Sequence, residues 1–129
     1  MRILIAMLPL ALAAGALPAA AKTESDAVRI DKALAGLTPG KPVSCVSQRR
    51  LGNSTQFGSG TILYRESSRL TWRNDLPGGC SVLGNLGAVV VTRTTMASIC
   101  EGEILRIRDL VGGIDFGTCT LGKFVPYTR

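Results

Sequence analysis

The segment GTILYRESSRLTWR, residues 60–73, sets the fold class of this chain. Ile62 and Tyr64 alternate along its first half, and Leu70 and Trp72 alternate along its second half. An alternation with a period of two is typical of β-strands that bury one face. Three polar residues between the halves indicate a turn. The segment is therefore predicted to form a hairpin in which these four side chains pack across the strands.

Short β-compatible stretches recur around this hairpin, at residues 42–48, 88–93, 99–108 and 118–125. Glycine and proline between them indicate turns, above all in residues 74–79. The polar tripeptide at residues 53–55 is predicted to be a loop. Five or six short strands at this spacing predict a mainly β domain, a small antiparallel barrel or sandwich.

One short amphipathic helix is predicted ahead of the strands, in residues 23–37. Its apolar positions are three or four residues apart and fall on one helical face: Ala27, Ile30, Leu34 and Leu37. Ser25 is suited to be the N-cap, and the glycines and proline of residues 36–40 cannot continue a helix. We expect the helix to pack against the β-domain.

Residues 1–21 have the pattern of an export signal, with Arg2 ahead of an apolar run and a small-residue cleavage site ending at Ala21. Pro9 and Gly15 interrupt the run, which is too short for a membrane anchor. The sequence predicts a signal peptide at residues 1–21, a helix and linker at 22–40 and a disulfide-linked β-domain at 41–129. No membrane insertion is expected after signal cleavage.

The predicted exported chain is basic, with 14 lysines and arginines against 9 aspartates and glutamates after Arg2 is removed. A net charge of +5 attracts anionic partners. In an exported protein these are expected to be an anionic envelope component or another exported protein. The basic residues lack the interleaved aromatics of single-strand binders, so no nucleic acid partner is predicted.

Four cysteines occur in the chain, at Cys45, Cys80, Cys100 and Cys119. Their spacings contain no C-x-x-C pair, which argues against a redox motif and against a zinc ribbon. Behind an export signal, the expected role is two structural disulfides in an oxidising compartment. Four cysteines permit three pairings, and the spacing alone does not select one of them.

The chain contains no histidine, the side chain most used for acid–base catalysis at neutral pH. We therefore predict no catalytic site, no cofactor and no metal site, and a non-enzymatic binding or structural module. An alternative is an envelope enzyme that uses carboxylates such as Glu101 and Glu103, which alternate on a predicted strand, or Lys41. Another alternative is an inhibitor of an exported wall-degrading enzyme, a role that suits small disulfide-linked β-domains.

Candidate binding residues surround the only tryptophan: Trp72, Arg73, Asn74, Arg65 and Arg69, with Tyr127 further along the chain. A single tryptophan in a hairpin is more often a core residue, but one exposed beside arginines resembles an interface hot spot. The three arginines recur every four residues across the predicted turn. Whether they converge depends on the strand register.

Four segments carry a resemblance to a family of small exported proteins of Gram-negative bacteria that has no assigned function: GKPVSC at 40–45, RLTWRN at 69–74, VVTRT at 90–94 and LGKFVPY at 121–127. The resemblance spans about residues 26–129. It implies a periplasmic or secreted protein. It also implies the pairing of Cys45 with Cys100 and of Cys80 with Cys119, while a Cys80–Cys100 bridge remains the alternative.

Overall fold

The computed structural model describes residues 23–84, 88–92 and 96–129 and shows a mainly β protein with one α-helix and two disulfides. The predicted fold class is confirmed. The sheets of the described residues are antiparallel and sandwich-like, without closure into a barrel. The predicted export signal, residues 1–21, lies outside the described residues.

The described part of the chain contains more strands than the sequence predicts, because several are very short or polar. The helix and strands are α1 (Asp26–Ala33), β1 (Thr38–Pro39), β2 (Cys45–Ser47), β3 (Asn53–Phe57), β4 (Thr61–Arg65), β5 (Leu70–Asp75), β6 (Ala88–Thr92), β7 (Ser98–Cys100), β8 (Ile104–Asp109), β9 (Asp115–Thr120) and β10 (Phe124–Thr128). Two 3-10 helices span Gln48–Arg50 and Ser81–Gly84.

The largest sheet has five strands in the order β1, β10, β5, β4, β3. The predicted hairpin is confirmed as β4 and β5, with Tyr64 directly opposite Trp72. Strand β4 is buried on both faces, since Ile62 and Tyr64 belong to the main core while Leu63 belongs to a second cluster on the other face. The face towards the main core is called the inner face below, and the opposite one the outer face.

The main core lies between the inner face of this sheet and the other two sheets, the pair β2–β7 and the three-stranded sheet β6–β8–β9. Its most deeply buried side chains are Phe124, Ile62, Leu105, Ile107 and Leu121. Burial raises the pKa of Tyr64 to about 12. Because the neutral phenol is the form that folding favours, its contribution to stability is intact below pH 10 and is lost as the pH rises towards 12.

One disulfide lies within the β2–β7 sheet, and the other joins the segment after β5 to the three-stranded sheet. Cys45 and Cys100 are direct partners across β2 and β7, while Cys80, next to the second 3-10 helix, is bonded to Cys119 of β9. The pairing implied by the family resemblance is therefore confirmed. Two disulfides indicate an oxidising compartment.

Helix α1 is shorter than the predicted segment at both ends. Its N-cap is Ser25, as predicted, whose hydroxyl accepts a hydrogen bond from the Val28 amide at 3.5 Å. Beyond the C-terminus, Gly36 adopts φ +77°, a conformation that glycine adopts without the steric cost a side chain would bring. On the outer face of the large sheet, Ile30 and Leu34 form the second cluster with Phe57 and Leu63.

The predicted last strand, residues 118–125, is in fact two strands. The chain leaves β9 at Thr120 and enters β10 at Phe124, and the connection is bonded to β5 by a side chain that sequence patterning does not reveal. The amide group of Asn74 accepts from the Gly122 N–H at 2.9 Å and donates to the Gly122 carbonyl at 2.8 Å. Asn74 is fully buried, and Phe124 is its direct neighbour in β10.

We predict that Gly122→Ala destabilises the protein by about 2 kcal/mol, because an added Cβ would lie 2.3 Å from the Asp75 carbonyl oxygen and force the backbone apart. Gly60→Ala is the matched control, since nothing lies within 4 Å of its added Cβ. Urea unfolding of both variants measures the difference. Equal stabilities for the two variants would contradict this close approach.

Candidate functional site

A pocket of about 290 Å³ lies between α1 and the outer face of the five-stranded sheet. Seven described residues from one helix and three strands line it: Lys32, Ala33, Thr55, Phe57, Leu63, Arg65 and Thr71. It is called the α1 pocket below.

Strand register places the sheet residues of the α1 pocket side by side. Thr55 is opposite Leu63 across β3 and β4, and Arg65 is opposite Thr71 across β4 and β5. Because side chains alternate along a strand, these residues share the outer face, with Phe57 two positions beyond Thr55. The helix approaches this face through its own apolar side chains, which brings its last turn to the pocket.

The charges at the α1 pocket are positive. Lys32 and Arg65 both line it, and the seven described lining residues include no carboxylate. Lys32 donates a hydrogen bond to Glu24. Arg65 is exposed and forms no ion pair with any carboxylate in the part of the chain that the structure describes. Its guanidinium is therefore available to a ligand.

The rest of the lining combines apolar and hydroxyl groups. Phe57 and Leu63 are buried and contribute apolar surface, while Thr55 and Thr71 contribute hydroxyls that both donate and accept hydrogen bonds. A planar guanidinium beside hydroxyl donors matches the geometry of a carboxylate or a phosphate group. The α1 pocket is therefore suited to hold an anionic group against an apolar surface.

Of the arginines singled out from the sequence, only Arg65 lines the α1 pocket. Arg73 shares the outer face, but its Nε donates to both carboxylate oxygens of Asp75 at 3.1 and 3.0 Å. Burial lowers the pKa of Arg73, but hydrogen bonds and charge interactions with Asp75 and, to a smaller extent, Tyr127 outweigh it and raise the pKa overall. Arg69 lies in the β4–β5 turn, where its carbonyl accepts from the Arg129 amide. The register does not gather the three guanidinium groups at one point.

The other two candidate residues of β5 point to the inner face. Trp72 is 5% exposed and belongs to the main core, and Asn74 forms the buried hydrogen bonds to Gly122 described above. The Trp72 indole donates to Glu66 at 2.7 Å, and the Arg50 guanidinium lies 5.2 Å from the ring centroid. Both side chains thus have partners within the fold.

Glu66 connects Trp72 to Arg50, whose Nε donates to its second carboxylate oxygen at 3.0 Å. Partial burial raises the pKa of Glu66, but the hydrogen bonds from Trp72 and Arg50 and the charge of Arg50 outweigh it, so that the pKa is lowered overall. The carboxylate is therefore the form that the folded state favours.

We predict that this interaction stabilises the fold above the ordinary pKa of a glutamate and is lost as the pH falls through the lowered pKa of Glu66. Because Trp72 is the only tryptophan, its fluorescence should change over the same acidic range. Glu66→Gln should remove that fluorescence change, while Glu101→Gln, a control remote in sequence, should preserve it. An unchanged titration in Glu66→Gln would contradict the assignment.

Glu101 and Glu103 do not share a strand face, contrary to the sequence prediction. They lie in the turn between β7 and β8, where Gly102 adopts φ +83°. Glu101 accepts from the Ser44 hydroxyl at 3.0 Å, and Glu103 accepts from the Cys100 amide at 2.9 Å. Lys41 is exposed outside the α1 pocket. These positions bring no pair of carboxylates together around a cleft.

A second exposed surface is the tip of the β8–β9 hairpin, where Leu110, Val111 and Ile114 are 73%, 94% and 62% exposed. Asp109 orders this tip, since its side chain accepts from the Val111 and Gly112 amides at 3.1 and 2.8 Å. These amides already have partners, so covering the tip would leave neither of them unsatisfied.

The sequence does not predict the β3 side of the α1 pocket, because the polar residues 53–55 are typical of a loop. They begin strand β3, an edge strand whose first four side chains are polar. The available signal was Phe57, which ends the polar run and matches the apolar face of the predicted helix.

In the described ranges, no three histidine, cysteine or acidic side chains gather in a way that would hold a metal ion. None of the helices described here is long and apolar enough to cross a membrane.

Comparison with protein-family models, with curated proteins and with solved structures gave no match.

Proposed function

We propose that the protein is a non-enzymatic binding module of the periplasm that holds an anionic envelope component in the α1 pocket. The observation that carries this proposal is the exposed guanidinium of Arg65, which has no described carboxylate partner, beside Lys32 in a pocket whose described lining includes no acid. The predicted exported chain has more basic than acidic residues, and its net positive charge attracts anions to the surface. The disulfides support an oxidising compartment, and the predicted export signal supports the periplasm.

Binding rather than catalysis fits the chemistry of the lining. Threonine hydroxyls and the Arg65 guanidinium orient and neutralise an anion, but none of the described lining side chains is a carboxylate, a thiol or an imidazole that would exchange protons near neutral pH. Phe57 and Leu63 add apolar contact beside the charge. The ligand is thus expected to combine an acidic group with apolar or backbone surface.

We predict that inorganic phosphate and succinate, titrated at constant ionic strength into the isotope-labelled protein, shift the amide resonances of Thr55, Arg65 and Thr71 most. Arg65→Gln should weaken phosphate binding about tenfold, because a hydrogen bond to a charged group is worth about 1.5 kcal/mol or more. Arg49→Gln is the matched control, since it removes the same charge at an exposed site that does not line the pocket. Equal weakening in both variants would mean that only the net charge matters, and would contradict the proposal.

A second function, inhibition of an exported wall-degrading enzyme, is favoured by the apolar tip of the β8–β9 hairpin. Side chains exposed to this degree on an ordered loop suit insertion into the cleft of another protein. Lysozyme activity, assayed with and without the protein in saturating phosphate, separates this function from anion binding. Phosphate would occupy the α1 pocket and leave the tip free to inhibit the enzyme.

A further inference from the structure

Strand β3 forms one end of the five-stranded sheet, and no described strand pairs with its second edge. Asn53, Ser54 and Thr55 are all exposed, although successive side chains of a strand point to opposite faces. The edge is thus open to solvent on both faces over these three residues. An edge strand of this kind presents unpaired N–H and C=O groups at regular spacing.

Strand β3 also lacks the features that keep natural edge strands from pairing with other chains. Its sequence, NSTQF, contains no charged residue and no proline, and its five residues pair with β4 without a register shift. Charged side chains, prolines and bulges are the usual protections of an edge. The edge of β3 is therefore a template on which another extended chain can form hydrogen bonds.

The open edge and the α1 pocket are continuous, because Thr55 and Phe57 of β3 line the pocket. A strand added beside β3 would lie about 4.8 Å from it, and every second side chain would fall on the outer face. A side chain on that face, next to Thr55, comes to the side of the sheet where Arg65 and Lys32 lie. Backbone pairing and charge recognition would thus act on the same segment.

We propose that the anionic partner is an extended acidic peptide segment of another exported protein, which pairs with β3 and places a carboxylate in the α1 pocket. This rests on the proposed function, since it takes the α1 pocket as the anion site. A polypeptide is the ligand class that fits because its N–H and C=O groups repeat at the spacing of a strand, while saccharides and lipid head groups offer no such repeat. The charge of Arg65 selects an acidic side chain over a neutral one.

The test uses the exported chain with both disulfides formed and a synthetic heptapeptide, acetylated and amidated, as the probe. Threonine occupies its four odd positions, and valine, glutamate and valine occupy the three even positions in that order. The single carboxylate therefore lies at the centre of one face. Three controls are needed: the same peptide with glutamine at the centre, and two versions with N-methyl groups on the nitrogens of one edge or of the other. Amide hydrogen exchange followed by NMR reports on β3 directly.

The glutamate peptide is expected to slow the exchange of solvent-facing β3 amides at least tenfold at saturation. The glutamine peptide should bind about tenfold more weakly, and Arg65→Gln should remove that difference while Arg49→Gln retains it. Because an added strand pairs through one edge only, N-methylation of one edge should abolish binding and N-methylation of the other should not.

Three results would overturn the inference. Shifts at Arg65 without slower exchange in β3 would show an anion site that takes no strand, which leaves the proposed function standing. Slower exchange in β3 with equal affinity for the glutamate and glutamine peptides would show strand pairing without anion selection, and the phosphate titration would then decide the proposed function separately. Slower exchange that depends on protein concentration and needs no peptide would assign the edge to a second copy of this chain.

Discussion

A protein in which Cys80 and Cys119 are both replaced by alanine is expected to lose about 5 kcal/mol of its free energy of unfolding. The bridge spans 39 residues, and a loop of that length restricts the unfolded chain by about 4 kcal/mol. Because Cys80 is 3% exposed within the main core, removing its sulfur also leaves a small cavity worth about 1 kcal/mol. The total approaches the whole stability of a typical domain.

The matched control is the double variant Cys45→Ala with Cys100→Ala. Its bridge spans 55 residues, so the entropic loss is nearly the same, about 4 kcal/mol. Cys45 is exposed, however, and no comparable cavity forms. Urea unfolding followed by Trp72 fluorescence should therefore rank the Cys80 variant as the less stable. The reverse order would contradict the assignment of the Cys80–Cys119 bridge to the core.

Asn74→Ala is expected to cost about 3 to 4 kcal/mol, because it leaves two backbone groups of Gly122 without their partner. Both hydrogen bonds are buried, and each unsatisfied group costs about 1–3 kcal/mol. The same change should loosen the start of β10, where Phe124 pairs with Asn74. Hydrogen exchange of the β10 amides would detect this separately from global stability.

Asn53→Ala is the matched control for Asn74→Ala, since it removes the same side chain from an exposed position of β3. It should change the free energy of unfolding by less than about 0.5 kcal/mol. A loss below about 1 kcal/mol for Asn74→Ala in urea unfolding would mean that Gly122 finds other partners. That outcome would contradict the structural role given to this asparagine.

The strands that the sequence predicts well are those with an apolar face against the main core. Ile62 and Tyr64 lie at alternate positions of β4, and Trp72 lies two positions after Leu70 in β5. This period of two predicts strands. Strand β3 is missed because its first four residues are all polar and show no apolar alternation, so that its pairing with β4 decides its conformation. Strands β1, β2 and β7 have two or three residues each, too few for any periodicity. The break between β9 and β10 depends on Asn74, 48 residues away from Gly122 in sequence.

The candidate site is less predictable than the fold, because it depends on the register of three strands and on the position of α1. The sequence singles out Arg65, and it predicts the helix that covers one side of the pocket. It does not predict that Thr55 and Thr71 lie on either side of β4, the strand that contains Arg65, because Thr55 belongs to β3 and Thr71 to β5. It also does not separate Arg73, which is bonded to Asp75, from Arg65, which is exposed.

The two disulfides enclose overlapping segments, residues 45–100 and 80–119. Any single peptide-bond cleavage between Cys45 and Cys119 therefore leaves both fragments joined by at least one bridge, and cleavage between Cys80 and Cys100 leaves them joined by two. A protease that cuts the chain once inside this range releases nothing. The nicked protein would run as one species on a non-reducing gel and as two after reduction. The disulfides would thus keep the molecule in one piece after its backbone is cut.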